Sequence, residues 1–385
     1  MTPPGRPRTD RPPRGGLDPS QAALAEPPRT PADPAGLTAP VLADTGRLIA
    51  RRAASMGLSR WSWGEGVVMH AALTLADALG NPIPTFVTAF VDEHLAAGVD
   101  IAHVNDLALG ATCADLWLAT GEPRYREACE QLLGWLRNDA GVTRAGNGAI
   151  EHWPGGVWAD TVFMAGMFLI RYGLAVDRPD LVAEAGEQLV AHAQMLQHPG
   201  TGLYAHGSHL GETIWCFWGR ANAWTALAAV EFLAAARRLQ YPRVADLAES
   251  VTATLERQLL ALADCQPEHG VWDVLVDGQE ENRGIVETSA AAGIASAMLR
   301  AASLGIAPAR TRQSGWQAIT GVHAYVEPDG TLARTSAGTV LQLIPFGYSV
   351  IRSDRIQPWG QGLAMRAYAD ALTDLTTHKK APQPS

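Results

Sequence analysis

From about residue 41 onward, hydrophobic positions recur with a helical rather than an alternating period. The spacing predicts helices over residues 43–56, 64–79, 83–97, 106–119, 122–136, 158–175, 178–196, 221–239, 241–263, 287–304, 307–319 and 359–375. Breakers agree with these ends. Gly80-Asn81-Pro82 stops the second helix, Gly98 the third and Thr120-Gly121 the fourth. Pro123 stands in a first turn, where its missing N–H costs nothing.

The helices are of two kinds. Some are rich in Ala, Gly and aromatics on most sides, as in ALAAVEFLAA and SAAAGIASAML. Others are evenly amphipathic, as in PRYREACEQLLGWL and RPDLVAEAGEQLV. All-round apolar helices are buried and amphipathic ones lie outside. The expected fold is therefore all-α, an (α/α)6 barrel of about twelve helices, an inner ring wrapped by an outer one. A helical solenoid is the alternative, although no repeat of fixed period is visible. Long irregular stretches, 138–156, 198–215, 266–285 and 325–353, recur at alternate junctions and so fall at one end of the barrel. The last of them has some β character. The active site is expected at this loop-rich end.

Composition frames the rest. Residues 1–40 are Pro- and Arg-rich and read as a disordered tail, 41–376 as the barrel, and 377–385 as a frayed end. A 47% hydrophobic content supports a large core, and the net charge of −9 excludes a nucleic-acid binder and disfavours acidic membranes. No apolar run reaches membrane-spanning length, and no secretory signal is visible, so a cytoplasmic location is expected. Cys113, Cys129, Cys216 and Cys265 form no C-x-x-C pair and no metal-ligand grouping with His. Neither a phosphate loop nor a dinucleotide fingerprint occurs, and Gly146-Asn147-Gly148 is turn chemistry.

Four clusters carry candidate chemistry. Asp106 follows His103-Val104-Asn105. Asp160 stands at the start of an apolar helix, among Trp153, Trp158, Phe163, Met164, Met167 and Phe168. His206 lies in Tyr204-Ala205-His206-Gly207, and Trp218, Arg220 and Trp224 follow in FWGRANAW. Glu287-Thr288-Ser289 opens a later helix. Each acid is also an ordinary helix-start residue, His206 an ordinary turn histidine, Arg220 a partner for a structural carboxylate, and each Trp an ordinary core residue. Together they are what a sugar-acid site needs. Trp faces stack on sugars, Arg matches a carboxylate, and two acids divide proton donation from water activation. An acid in an apolar wall is expected to have a raised pKa, suited to proton donation.

In the same order along the chain stand W-x-W at Trp61 and Trp63, NDLALGATCADLWLATGEPRYREAC, VWADTVFMAGMFLIRYG, TGLYAHG, FWGRANAW, VETSAAAGIASAML and QPWGQGLAMRAYA. This set resembles glycoside hydrolase families 105 and 88, the unsaturated galacturonyl and glucuronyl hydrolases, from about Trp61 to the last helix. The resemblance implies the (α/α)6 barrel and hydrolysis without metal or organic cofactor. The implied substrate is a small lyase-generated oligosaccharide ending in a 4,5-unsaturated uronic acid. An acid protonates C4, water adds at C5, and the hemiketal opens to release the sugar. Carried over by motif, Asp160 is the general acid and base and Asp106 the second catalytic carboxylate. His206, Trp218, Arg220 and Trp224 line the substrate pocket, Arg220 facing the uronate. Glu287 receives no chemistry, since capping accounts for it. The Ala residues of GRANAW and the run Gly207-Ser208-His209-Leu210 depart from the family pattern, and the latter loop is expected to choose the sugar on the leaving side. A monomer or homodimer is expected. The competing readings are an inverting glycosidase using Asp106 and Asp160 on saturated sugars, and a non-catalytic sugar-binding barrel.

Overall fold

A computed structural model describes residues 26–379. In chain order the helices are α1 (Ala39–Ala54), α2 (Trp63–Ala78), α3 (Thr85–Ala97), α4 (Ala108–Thr120), α5 (Pro123–Asn138), α6 (Asp160–Ala175), α7 (Pro179–Leu196), α8 (Gly219–Ala236), α9 (Pro242–Asp264), α10 (Thr288–Ser303), α11 (Ala309–His323), the short α12 (Pro345–Ser349) and α13 (Pro358–Lys379). Helices α2, α4, α6, α8, α10 and α13 each pack on the next, and α13 closes the ring against α2. The remaining long helices wrap this ring, which is the expected (α/α)6 barrel. Burial follows the composition. Sixteen of the 18 residues of inner α8 are buried, whereas only six of the 23 in outer α9 are. The inner ring closes tightly where small residues meet. A Cβ on Gly110 of α4 would lie 2.3 Å from the Phe168 ring of α6, and one on Gly362 of α13 would lie 2.8 Å from the backbone of Val67.

Because inner and outer helices alternate, the six inner helices run parallel. Their N-termini share one end, and the long loops precede them there. The links after the inner helices are short. One loop carries a hairpin, β1 (Gly207–His209) and β2 (Glu212–Ile214), pairing Gly207 with Ile214 and His209 with Glu212. Its turn residues Leu210 and Gly211 both have positive φ, 50° and 84°, as a primed hairpin turn requires.

Three local expectations are corrected. The 325–353 stretch holds no strand among the described residues, only the Val326–Leu332 bridge and α12. Residues 26–38 of the expected tail are docked. Arg29 donates from its backbone to Tyr325 Oη at 2.9 Å and from Nη1 to Ala324 O at 3.0 Å, and Leu37 is buried. Proline suppresses helix but not extended docking, which tertiary hydrogen bonds supply here. Residues 1–25 lie outside the described residues. The last helix runs through Lys379, past the expected helix end at 375, and 380–385 also lie outside the described residues.

Among the described residues no helix is long and apolar enough to cross a membrane, and no group of three His, Cys, Asp or Glu is placed to hold a metal. The four cysteines are free.

Candidate active site

Asp160 is the first residue of α6, at the loop end of the ring. The helix starts two residues later than the sequence pattern predicts because the Trp158 backbone bridges to Gly207 and Ala159 N–H donates to His206 O at 2.9 Å. These contacts bring the 204–209 stretch over the start of α6. They place His206 Nε2 3.5 Å from Asp160 Oδ2. That is a close polar approach, too long for a hydrogen bond, and neither atom has another partner. The Asp160 side chain keeps 14% of its surface exposed, while that of His206 is fully buried.

A residue distant in sequence orients the histidine. His206 Nδ1 lies 2.8 Å from Tyr348 Oη, in α12. Tyrosine donating to Nδ1 leaves the ring proton on Nε2, facing the carboxylate, which is the tautomer favoured by the charge of Asp160. His206 also packs on Trp218 at 4.3 Å and edge-on to Trp158 at 5.2 Å. Trp158 in turn stacks on His152 at 4.5 Å. Burial pushes His152 down to about 3, so it is neutral at physiological pH.

The charge balance at Asp160 overturns one expectation. Burial pushes its carboxyl up, but His206 and, further off, Arg220 pull it down, and the net value lies below the ordinary carboxylate range. Its chain neighbours are apolar, as the sequence indicates. Its spatial neighbours from other loops are not.

Arg220 does not present an open fork. It is fully buried at the start of α8. Its Nη1 donates to Ser336 Oγ at 2.8 Å and Ser336 O at 3.1 Å, and its Nη2 to Ala337 O at 3.0 Å. Nη1 also lies 3.5 Å from Glu287 Oε1. The guanidinium therefore straps the segment before α13 to the ring and adds positive potential behind Asp160. Glu287 caps α10, accepting from Ala290 N–H at 2.6 Å, and accepts from Ser336 N–H at 2.9 Å. Trp218 packs against His206 and against Arg220, whose guanidinium lies 4.3 Å from the ring centroid. Trp224 has no exposed surface and packs on Phe163 at 4.6 Å, beneath the site. In the free protein His206, Trp218, Arg220 and Trp224 are thus buried, rather than open to a ligand as expected.

Asp106 belongs to a neighbouring turn. Its Oδ2 accepts from the backbone of Ala102 at 3.0 Å and His103 at 2.9 Å, one half of a capping box. Burial nevertheless holds its carboxyl above the ordinary range. His103 accepts from Asn105 N–H at Nδ1, 3.1 Å, and donates from Nε2 to His152 O at 2.7 Å. Burial holds the His103 imidazole below its ordinary range, against the opposing pull of its bond to His152 O and of the Asp106 and Asp160 charges. Next to it is Trp153, with ring centroids 4.1 Å apart and 52% exposed. The surfaces open to a ligand are therefore Asp160, Trp158, His103, Asp106 and Trp153. Tyr348 and His152 carry no sequence signal. Tyr348 is 142 residues from its partner, and His152 lies in a loop whose glycines and tryptophans dominate the pattern.

A profile described as Glycosyl Hydrolase Family 88 matches residues 49–375. The chain is 31% identical over 327 residues to the unsaturated rhamnogalacturonyl hydrolase YesR of Bacillus subtilis (strain 168), covering 81% of this chain and 90% of that one. A possible GH105 member from Salmonella enterica superposes with a TM-score of 0.79 at 25% identity, over 90% of this chain and 97% of that one. An unsaturated glucuronyl hydrolase specific for heparin shares the fold, with a TM-score of 0.63 at 14% identity over 88% and 97% of the two chains. With the profile spanning nearly the whole barrel, the chain belongs to glycosyl hydrolase family 88 and is a glycoside hydrolase.

Proposed function

We propose that the enzyme removes a terminal 4,5-unsaturated uronic acid from lyase-generated oligosaccharides by hydrating the ring double bond, with Asp160 as proton donor and then acceptor. The observation that carries this reading is the lone, partly exposed carboxylate of Asp160 facing an unpartnered His206 Nε2 in an aromatic wall.

In the free protein Asp160 is ionised at neutral pH. The arriving uronate is a second negative charge in the same low-dielectric wall, which favours protonation of one of the two carboxylates. Binding therefore draws a proton onto Asp160. The proton passes to C4 as the double-bond pair forms the C4–H bond, and positive charge develops at C5 and the ring oxygen. Water adds to C5 and returns its proton to the Asp160 carboxylate, now a base. The C5 hemiketal opens to a ketone, and the freed hemiacetal at C1 expels the leaving sugar. One water is consumed. His206, held by Tyr348, stabilises the carboxylate between proton transfers. Trp158 and Trp153 offer apolar faces to the sugars. The Gly207–Leu210 loop, docked by Leu210 N–H on Gly155 O at 2.8 Å, reaches the leaving side. Asp106, spent on its cap, helps hold substrate.

Incubation with unsaturated galacturonyl and glucuronyl oligosaccharides tests this reading. Loss of the enol-acid absorbance is expected with wild type, and Asp160→Asn should fall about 100- to 10,000-fold while remaining folded. Turnover of saturated aryl glycosides, with none on unsaturated sugars, would instead favour direct attack at the anomeric carbon.

A further inference from the structure

The barrel has a polar cavity at the end away from the loops, of about 470 Å³. Every inner helix contributes to its wall: His70, Asp115, Arg171, Glu231, Arg300 and Arg366. It opens beside the turn after α2, at Asn81 and Ile83. An ionic ring inside a helical barrel is costly unless its charges are paired. Asp115 and Glu231 are paired, Asp370 is bonded to a hydroxyl, and Asp77 lies exposed in the wall. Asp115 contacts His70 at 3.3 Å and Arg171 at 2.6 Å. Glu231 binds Arg366 and lies 3.7 Å from Arg300, and Asp370 accepts from Ser296 at 2.5 Å.

The donors are not all satisfied. Nε and Nη1 of Arg366 and Nε of Arg300 are buried without a hydrogen-bond partner. Arg366 is only 4% exposed and belongs to the cavity wall. No oxygen of the wall carboxylates is among the buried atoms lacking partners. A hydrogen-bond acceptor entering the cavity meets these waiting N–H groups. The shape also suits a small molecule, since ligand cavities measure about 300–1,000 Å³. Burial holds the Asp370 carboxyl above its ordinary range, while the cations beside Asp115 and Glu231 hold theirs below it.

We propose that this cavity binds a small oxyanion, a carboxylate or a phosphate, through Arg366 and Arg300, at a site separate from Asp160. Bound there, the anion ties α10 to α13 and completes the hydrogen bonding of the inner ring. The site does not depend on the hydrolytic reading of the loop end.

Titration calorimetry of the full chain tests it, with sodium phosphate and sodium galacturonate as probes against chloride at matched ionic strength. Saturable binding of at least one probe is expected for wild type and Asp160→Asn alike, weaker by about tenfold or more in Arg366→Gln and Arg300→Gln, in line with losing a charge-assisted hydrogen bond. Phosphate binding alone identifies an inorganic-anion site, and galacturonate binding alone a sugar-acid site. Arg300 is partly exposed and makes only the long contact to Glu231, so Arg300→Gln carries the test if Arg366→Gln does not fold. No saturable binding of either probe to wild type, or unchanged affinity in Arg300→Gln, overturns the proposal.

Discussion

Asp160, the proposed proton donor, shows how much of a side chain's behaviour depends on residues far away in the chain. Its position at a helix start was readable from the VWADTVF pattern, and so were its aromatic neighbours. Its low pKa was not, because His206 and Arg220 reach it from other loops. That shift has a consequence for stability. A carboxylate whose folded pKa lies below its unfolded value contributes stability above the unfolded value, about 3.9, and loses it as pH falls through the folded one. Asp160→Asn should therefore unfold at a lower temperature than wild type at pH 7, and the difference should vanish in strong acid, as followed by calorimetric melting across pH. A second consequence concerns binding. If the substrate raises the Asp160 pKa, binding at neutral pH takes up a proton. Titrations in buffers of different ionisation enthalpy should show this uptake with wild type and not with Asp160→Asn. Tyr348→Phe removes the partner that fixes His206. It should lower kcat by up to about 100-fold with little change in KM, the mark of lost positioning. A raised KM with kcat unchanged would assign Tyr348 to substrate binding instead.

At the scale of elements, the sequence was most informative where pattern and packing coincide. Inner and outer helices differ in how far around the helix the apolar positions extend, and α8 and α9 show that contrast directly. The loops were legible only as loops. Which residues they bring together depends on bridges such as Trp158 to Gly207, which connect stretches about 50 residues apart and leave no periodic trace. Arg220 shows the same limit. Its motif marked it as a residue of the site, but only the fold reveals that Ser336 and Ala337 occupy its donors. The inner seams are testable. Gly110→Ala drives a Cβ into Phe168, and overpacking of this kind costs about 1–3 kcal/mol. Chemical denaturation should register that loss, whereas Gly134→Ala on outer α5, which meets nothing within 4 Å, should not destabilise.

For the whole molecule, ring closure joins the first inner helix to the last, so α2 and α13 depend on each other across almost the entire chain. The docked segment before α1 extends that closure, since Arg29 and Leu37 fasten it near α11. Composition alone cannot reveal such docking, because an extended segment has no periodicity of its own. Deleting residues 1–37 should lower the melting midpoint, since a buried leucine alone is worth about 1.5–3 kcal/mol; an unchanged midpoint would mean the contacts contribute nothing. The chemistry of the loop-end site can be read in the product. Reaction of an unsaturated uronyl oligosaccharide in D2O, followed by NMR with wild type and Asp160→Asn, tests the central claim most directly. Hydration through Asp160 predicts loss of the C4–C5 double bond, a single deuteron delivered to C4 during turnover, and release of the leaving sugar by wild type only. Release of the sugar with the double bond intact, or near-wild-type turnover by Asp160→Asn, would contradict it.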